Sequence, residues 1–318
     1  MRSLYDCSAK SFTQPSAKEI AARVAERRFG FWLDIESPDD HDYELLAKDF
    51  GFHPLTIEDI RHQNQRPKFE EFGKYEFMVL FSSDWHDGQM GVREHHLFLG
   101  DKFLVSVHHE PEPAFKQVVE RLAEGGADES GLDLVTYLVL SALVDQVFDV
   151  LQQIDDDADA VQDRALTRAT PDTLSGITNL RHDVAVLRRN LSAERDMFQR
   201  LLTHALQHHD QETTLYYRDV YDHLVRQYEQ ADSIRDLLSG AMDIYLSTVS
   251  NRLNETMRAL TAIASLFLPL SFLTGFFGMN FGFLVSHIGG AEAFGLGLGL
   301  MTASIGIQLA LFRRRGWI

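Results

Sequence analysis

Two long stretches near the C-terminus carry no charged residue, and they constrain this chain more than anything else in it. Ala259 to Ala291 holds no Asp, Glu, Lys or Arg. Neither does Ala293 to Phe312, which stops at Arg313-Arg314-Arg315. A bilayer core takes about 20 mostly apolar residues per spanning helix. Two such stretches joined by a short turn make a transmembrane hairpin, and the turn holds Gly278-Met279-Asn280. Arg252 and Arg258 precede the first stretch, Arg313, Arg314 and Arg315 follow the second, and Phe281 to Glu292 has no Lys or Arg. Basic residues stay on the cytoplasmic side, so both termini are expected in the cytoplasm and the loop outside. Met1 to Gly30 has no apolar core of a signal peptide. The expectation is a multi-pass protein of the cell membrane, seated in the lipid bilayer, with its polar mass in the cytosol.

The balance is acidic, 47 Asp+Glu against 30 Lys+Arg, a net charge of −17. That argues against a nucleic-acid partner and suits a surface that meets cations. The single cysteine, Cys7, excludes an intrachain disulfide and a cysteine-based zinc site, and fits a reducing compartment. No nucleophile–base constellation, Walker loop or dinucleotide fingerprint is present, so the chain is not expected to be an enzyme. A membrane-tethered sensor or enzyme is the remote third reading.

Residues 1–130 are expected to form a cytosolic α/β domain, with 1–28 a weakly structured lead-in. Phe29 to Ile35 reads as a strand closed by Pro38, and Asp39 to Phe50 as a helix begun at Ser37-Pro38-Asp39. Tyr75 to Phe81, Glu94 to Leu99 and Phe103 to His108 read as strands, the last two joined in a hairpin by Gly100-Asp101. From about Pro111 the pattern turns helical. Residues 131–212 are expected as a long helical hairpin, Leu132 to Arg168 and Pro171 to His209, divided by Pro171. Residues 213–258 form a stalk helix, 259–280 the first span, 281–292 an external loop, 293–312 the second span and 313–318 a basic cytosolic tail. Thr213 to Gly278 would reach nearly 100 Å at about 1.5 Å per residue. Asp145, Asp149, Asp155, Asp156, Asp157, Asp159 and Asp163 crowd the first long helix, either as a solvated face or as a place where divalent cations gather.

An axial helix in a bundle shows one face to the centre at heptad-like intervals. Stepping back by sevens from Asn254 gives Ser247, Gly240, Ser233, Arg226 and Asp219. The companion positions are Ser250, Asp243, Asp236, Glu229 and Asp222. Forward come Met257, Leu260 and Thr261, Ala264, Leu268, Ser271, Gly275 and Gly278. The stripe is small or polar, with Met and Leu at the membrane entrance, which suits a pore lining. Phe267, Phe272, Phe276 and Phe277 are expected on the opposite faces, toward lipid or the second span. Gly295, Gly299 and Ala303 form a small-xxx-small row expected to pack the second span. One uncharged span per subunit cannot enclose a polar path, so a pore needs several copies.

Tyr245-Leu246-Ser247-Thr248-Val249-Ser250-Asn251-Arg252-Leu253-Asn254-Glu255, then Met257, Leu260 and Thr261, Pro269-Leu270 and Phe277-Gly278-Met279-Asn280-Phe281 resemble the CorA family of magnesium transporters. So do His62-Gln63-Asn64-Gln65-Arg66-Pro67-Lys68 and Tyr217-Arg218-Asp219-Val220-Tyr221-Asp222-His223. The resemblance implies a homopentameric funnel: an α/β cytosolic domain, a long stalk helix running into the pore-lining span, and a second span outside it. It implies transport of Mg²⁺, with Co²⁺ and Ni²⁺ also admitted, and closure by cytosolic Mg²⁺ bound between subunits. Gly278, Met279 and Asn280 would form the selectivity filter, with Asn280 the selecting residue. Asn254 would be the next polar ring, Asp243 an inner acidic ring, and Met257 and Leu260 an apolar constriction that dewets and closes. Asp219 would be one regulatory ligand, partnered by Asp84 or Asp87.

Magnesium demands octahedral oxygen ligands and sheds water reluctantly. A ring of Asn280 carbonyls suits it, because such a ring hydrogen-bonds to the waters of the hydrated ion. Other residues leave zinc open. Phe272-Leu273-Thr274-Gly275-Phe276-Phe277 and Arg313-Arg314-Arg315-Gly316-Trp317 are similar to the zinc-transporting ZntB branch, for which proton coupling is the associated reading. That branch usually carries Val or Ile where Met279 stands. The magnesium-type Met-Pro-Glu-Leu after Asn280 is absent, and Phe281-Gly282-Phe283-Leu284 stands there instead. His204 and His208, at i and i+4, have a spacing that can hold zinc, though two histidines are not a complete site.

Overall fold

Alternating apolar residues in the first third of the chain build one seven-stranded sheet, and the described elements after it are helices. The computed structural model describes residues 1–26, 30–86, 88–124, 131–208, 211–279, 282 and 290–316. The elements are β1 (Arg2–Asp6), β2 (Ser11–Thr13), α1 (Ala17–Glu26), β3 (Phe31–Glu36), α2 (Asp40–Lys48), α3 (Pro54–His62), β4 (Lys68–Glu71), β5 (Glu76–His86), β6 (Gln89–Gly100) and β7 (Phe103–His108). Then come α4 (Pro113–Glu124), α5 (Leu132–Thr167), α6 (Pro171–His208), α7 (Gln211–Phe277) and α8 (Ala291–Arg314). By backbone proximity the chain divides into two units, Met1–Arg164 with Thr170–Met242, and Ala165–Ala169 with Asp243–Ile318.

The strand order is β2-β1-β3-β7-β6-β5-β4. Among the described strands only β3 and β7 pair in parallel, Leu33 opposite Val105. The expected hairpin at Gly100-Asp101 is present as the antiparallel β6–β7 pair. The expected lead-in of residues 1–28 is not weakly structured over its described part, residues 1–26. It supplies β1, β2 and α1, because Leu4 pairs with Leu33 and is buried by it. Its sequence is too short and too polar to show that on its own. Likewise β4 and α3 appear only because β5 and the sheet face give them something to pack on.

Local chemistry starts the helices. Asp39 accepts from the Asp42 N–H while Asp42 accepts from the Asp39 N–H, a reciprocal cap at the head of α2. Pro54 and Pro171 open α3 and α6, where a missing N–H costs nothing. On one sheet face Phe31, Leu33, Phe77, Val79, Phe98, Val105 and Val107 form a core with Ile20, Leu46, Phe52 and Ile60. The other face carries Trp32, Leu80, Leu97 and Leu104, and it also carries buried Ser82, His95, Ser106 and His108.

Among the described residues three helices are long and apolar enough to cross a membrane: α5, α7 and α8. The apolar stretch of α5 is 56% buried inside the protein, whereas that of α7 is 0% and that of α8 6% buried. α5 is therefore a core helix and only the other two keep spanning character. The acidic row of α5 lies away from its buried stripe of Leu151, Ile154, Ala158 and Val161. α7 runs 67 residues without interruption through Pro269, roughly 100 Å at 1.5 Å per residue.

Candidate functional site

The apolar part of α7 has two unlike faces. Ala262, Ser265, Leu266, Pro269, Leu270, Leu273 and Phe277 are half-buried. Their spacing of three and four residues puts them on one side of the helix. On α8 the covered residues are Gly297, Met301, Ser304, Ile305, Gln308 and Phe312, again one side. At Gly297 the helices come close: a Cβ added there would sit 3.6 Å from the Phe277 ring. Gly295, Gly299 and Ala303, the expected packing row, are exposed instead. A small-xxx-small pattern marks a face that permits close approach, and here the approach occurs on the neighbouring face.

The expected pore stripe lies opposite the covered face of α7. Asp243, Ser247, Ser250, Asn254, Met257, Leu260, Thr261, Leu268 and Ser271 are all exposed. Exposure is 56% at Met257, 63% at Leu260 and 75% at Leu268. The phenylalanines divide between two surroundings. Phe277 packs toward α8, but Phe267 and Phe272 are exposed and flank the stripe on either side. Thr261 donates its hydroxyl to the Met257 carbonyl at 2.7 Å, and Thr274 donates to Leu270 at 3.0 Å. Each hydroxyl is thereby satisfied by its own helix in an apolar setting.

α7 ends at Phe277, just before Gly278 and Met279. Gly278 donates to the Thr274 carbonyl at 2.9 Å and Met279 to Phe276 at 3.3 Å. A Cβ on Gly278 would meet the Thr274 oxygen at 2.9 Å, so this position is close-packed against backbone. Asn280 lies outside the described residues, and so does Asp87.

Asp219, on α7, accepts from the Tyr137 hydroxyl of α5 at 2.8 Å and faces His223 at 3.8 Å. His223 in turn meets Asp145 at 2.6 Å. Burial raises the Tyr137 pKa first, and the Asp219 carboxylate adds to the rise. Asp84 is paired with Arg93 on the adjoining strand and lies over Gly91, where a side chain would collide with it. Asp84 and Asp219 thus have separate partners within one chain. Among the described residues no group of three or more His, Cys, Asp or Glu side chains is placed to hold a metal ion. His204 sits between Glu71 at its Nδ1, 3.0 Å, and Glu76 at its Nε2, 2.8 Å. One ring bridging two carboxylates through different nitrogens is a polar tie from α6 to the sheet. The side chain of His208 lies outside the description. Burial pushes the Cys7 thiol up to about 12, which leaves it inert.

Comparison with known proteins gives these residues their context. The sequence model of the family described as CorA-like Mg²⁺ transporter protein matches residues 30–314. The chain is 33% identical over 288 residues to the putative metal ion transporter YfjQ of Bacillus subtilis, covering 90% of this chain and 89% of that protein. It is 31% identical over 292 residues to the cobalt/magnesium transport protein CorA of Thermotoga maritima, covering 90% and 83%. It is also 25% identical over 259 residues to the zinc transport protein ZntB of Photorhabdus laumondii, covering 79% and 77%. The complete structure of the CorA magnesium transporter from Methanocaldococcus jannaschii superposes with a TM-score of 0.85 at 21% identity, covering 100% of this chain and 99% of that one. The fold, with its sheet, long α7 and C-terminal helix, is that of this structure. The chain therefore belongs to the CorA-like Mg²⁺ transporter family, and it is a divalent-cation transporter and not an enzyme.

Proposed function

We propose that this chain assembles as a homopentamer that conducts Mg²⁺ through an axial pore lined by α7. Both termini lie in the cytoplasm of a cell-membrane protein. The uncovered stripe from Asp243 to Gly278, opposite the face that packs on α8, carries this reading. A single helix cannot enclose a polar path, so the stripe needs further copies to face it. Phe267 and Phe272 flank the stripe where neighbouring copies of α7 would meet. Five copies, and Co²⁺ and Ni²⁺ as further ions, come with the family resemblance. The Co²⁺ reading is also supported by the likeness to the cobalt/magnesium transporter of Thermotoga maritima.

Conduction follows from ion chemistry. Hydrated Mg²⁺ gives up water reluctantly, so the outer ring of Gly278, Met279 and Asn280 would bind the ion through its waters. Asn254 and Asp243 would offer the next polar rings, and Met257 and Leu260 a dry constriction. Asp219, with Asp84 or Asp87 of an adjoining copy, would hold regulatory Mg²⁺ between chains. Facing carboxylates repel, and a bridging divalent ion removes that repulsion.

A zinc-transporting, proton-coupled mode is the second reading, favoured by the Phe272 to Phe277 run and by the likeness to ZntB. Flux into proteoliposomes separates the two. Mg²⁺ uptake independent of a pH gradient, lost in Asn280→Ala with the oligomer intact, is the expected result. Zn²⁺ uptake that requires a pH gradient, with no Mg²⁺ uptake, would replace the first reading with the second.

A further inference from the structure

Two histidines face each other in the interior of the sheet domain. His95 on β6 is paired with His108 on β7, and their ring centroids are 5.7 Å apart. His95 is 0% exposed and His108 2%. The two rings have opposite surroundings. His108 meets acceptors at both nitrogens: the Asp34 carboxylate at Nε2, 3.1 Å, and the Glu110 carbonyl at Nδ1. Satisfying both requires two N–H groups, hence the imidazolium. His95 meets Glu112 at 3.0 Å and Ser82 at 2.9 Å through Nε2 alone, and its buried Nδ1 has no partner. A neutral ring with its proton on Nε2 fits that setting, and a proton on Nδ1 would be stranded.

The rings also act on one connection. Glu110 and Glu112 lie in the segment that joins β7 to α4. Glu112 is satisfied by donors from several elements: Ser82 at 2.6 Å, the Ala114 N–H of α4 at 2.9 Å and Gln146 of α5 at 2.6 Å, besides His95. Asp34 accepts from Ser106 as well, and Ser106 accepts from Trp32 at 2.9 Å. The other titratable groups that act on the pair are Glu36 on β3 and His96 on β6, the latter facing Glu94 at 3.0 Å.

We propose that His95 and His108 form a proton-operated latch on the β7–α4 connection, holding α4 and α5 to the sheet while the first is neutral and the second charged. Acid adds a proton to the Nδ1 of His95, beside the positive ring of His108 and with nothing to accept it. Relief by ring rotation or water entry breaks the bonds to Glu112 and Ser82, and Glu112 is what ties α4 and α5 to the sheet. Base removes a proton from His108, leaving a lone pair against Asp34 or Glu110 and loosening the same segment from its other end. The direction of the shifts agrees. Burial lowers the pKa of His95, only partly offset by Glu112. Burial also works against His108, but Asp34 and the Glu110 carbonyl raise its pKa above the ordinary value. Burial opposes the charge on Glu112, yet His95, Ser82 and the Ala114 N–H hold it at about 2. A latch that needs one neutral and one charged histidine works in a band of pH around the ordinary histidine range.

The test uses the full-length oligomer in nanodiscs. Deuterium uptake at the Cε1 position of individual histidine rings, followed by mass spectrometry across pH, reads each ring's protonation in the unmodified protein. His95 is expected to titrate below the ordinary histidine value and His108 above it. Identical titration of the two rings would overturn the latch. Backbone exchange over residues 108–124 and 140–150, corrected for its intrinsic pH dependence, should show a protected plateau. Opening should rise up to about tenfold per pH unit beyond each edge, as one-proton linkage sets. His95→Gln should remove the acid edge alone and His108→Gln the alkaline edge alone, while His182→Gln on the surface changes neither. A flat wild-type profile, or both variants losing the same edge, would also overturn it.

Discussion

Phe77 and Phe98 in the sheet and Leu268 and Phe272 on α7 are comparably apolar, and they meet opposite surroundings. The two sheet phenylalanines are fully buried, with ring centroids 4.8 Å apart. Leu268 and Phe272 are 75% and 71% exposed. The residues around Phe98 come from one chain, so its burial is settled when that chain folds. The residues that would cover Leu268 and Phe272 are lipid or other copies. The hydrophobic effect drives the first packing, while association inside a bilayer relies on close fit and polar contacts. One chain thus carries a region complete by itself and a region that assembly completes.

Truncation should separate these regions most sharply. Phe98→Ala is expected to cost about 3–5 kcal/mol of stability in the sheet domain, the usual range for a buried aromatic. Phe272→Ala should leave the melting of that domain unchanged and weaken the oligomer. Thermal unfolding and native mass spectrometry of both variants check this. Equal loss of domain stability in both would break the distinction.

A second difference is electrical. Glu194 on α6 is 2% exposed and accepts from the Phe81 N–H of β5 at 2.7 Å. Burial pushes its pKa up from 4.5 to about 8, with the Phe81 N–H offsetting only part. Between those values the folded protein keeps a proton that the unfolded chain releases. Stability from this group is therefore greatest below pH 4.5, falls as pH rises, and levels off above about 8. Glu194→Gln should remove that slope and stabilise the domain by a few kcal/mol, order of magnitude, at pH 8. Unfolding by denaturant at several pH values measures it, and an unchanged slope would show that Glu194 is charged when buried.

The smallest expected effect lies where the complete region could sense the incomplete one. Asp219→Ala, or loss of both Asp84 and Asp87, should leave conduction intact and reduce severalfold the protection of α7 from protease by Mg²⁺. The variant also removes the contact with Tyr137, so it is compared with Tyr137→Phe, which breaks that hydrogen bond and keeps the carboxylate. Loss of protection in both variants would make the role of Asp219 one of docking α7 on α5, and unchanged protection in both would place the regulatory site elsewhere.

Much of the architecture was legible because it repeats locally. The uncharged stretches, Pro171 at a helix start, the Gly100-Asp101 turn and the length of α7 each follow from a few neighbouring residues. The stripe from Asp243 to Ser271 was legible for the same reason, since the period of a helix alone decides which residues share a face. Asn280 and Asp87, where the sequence reading concentrates ion selection and one regulatory choice, lie outside the described residues.

Tertiary structure decided the rest. β1 and β2 exist because β3 lies beside them. Gly297, and not Gly295, meets Phe277 because the rotation of α8 is set by its partner. The buried chemistry is the clearest case. Ser82, His95, His108, Glu112 and Gln146 are scattered over sixty-odd residues of sequence, and no spacing among them suggests a cluster. Apolar periodicity is a local property and survives in a single strand of text. Whether a polar group is paired, stranded or charged depends on what distant segments bring against it once water is excluded.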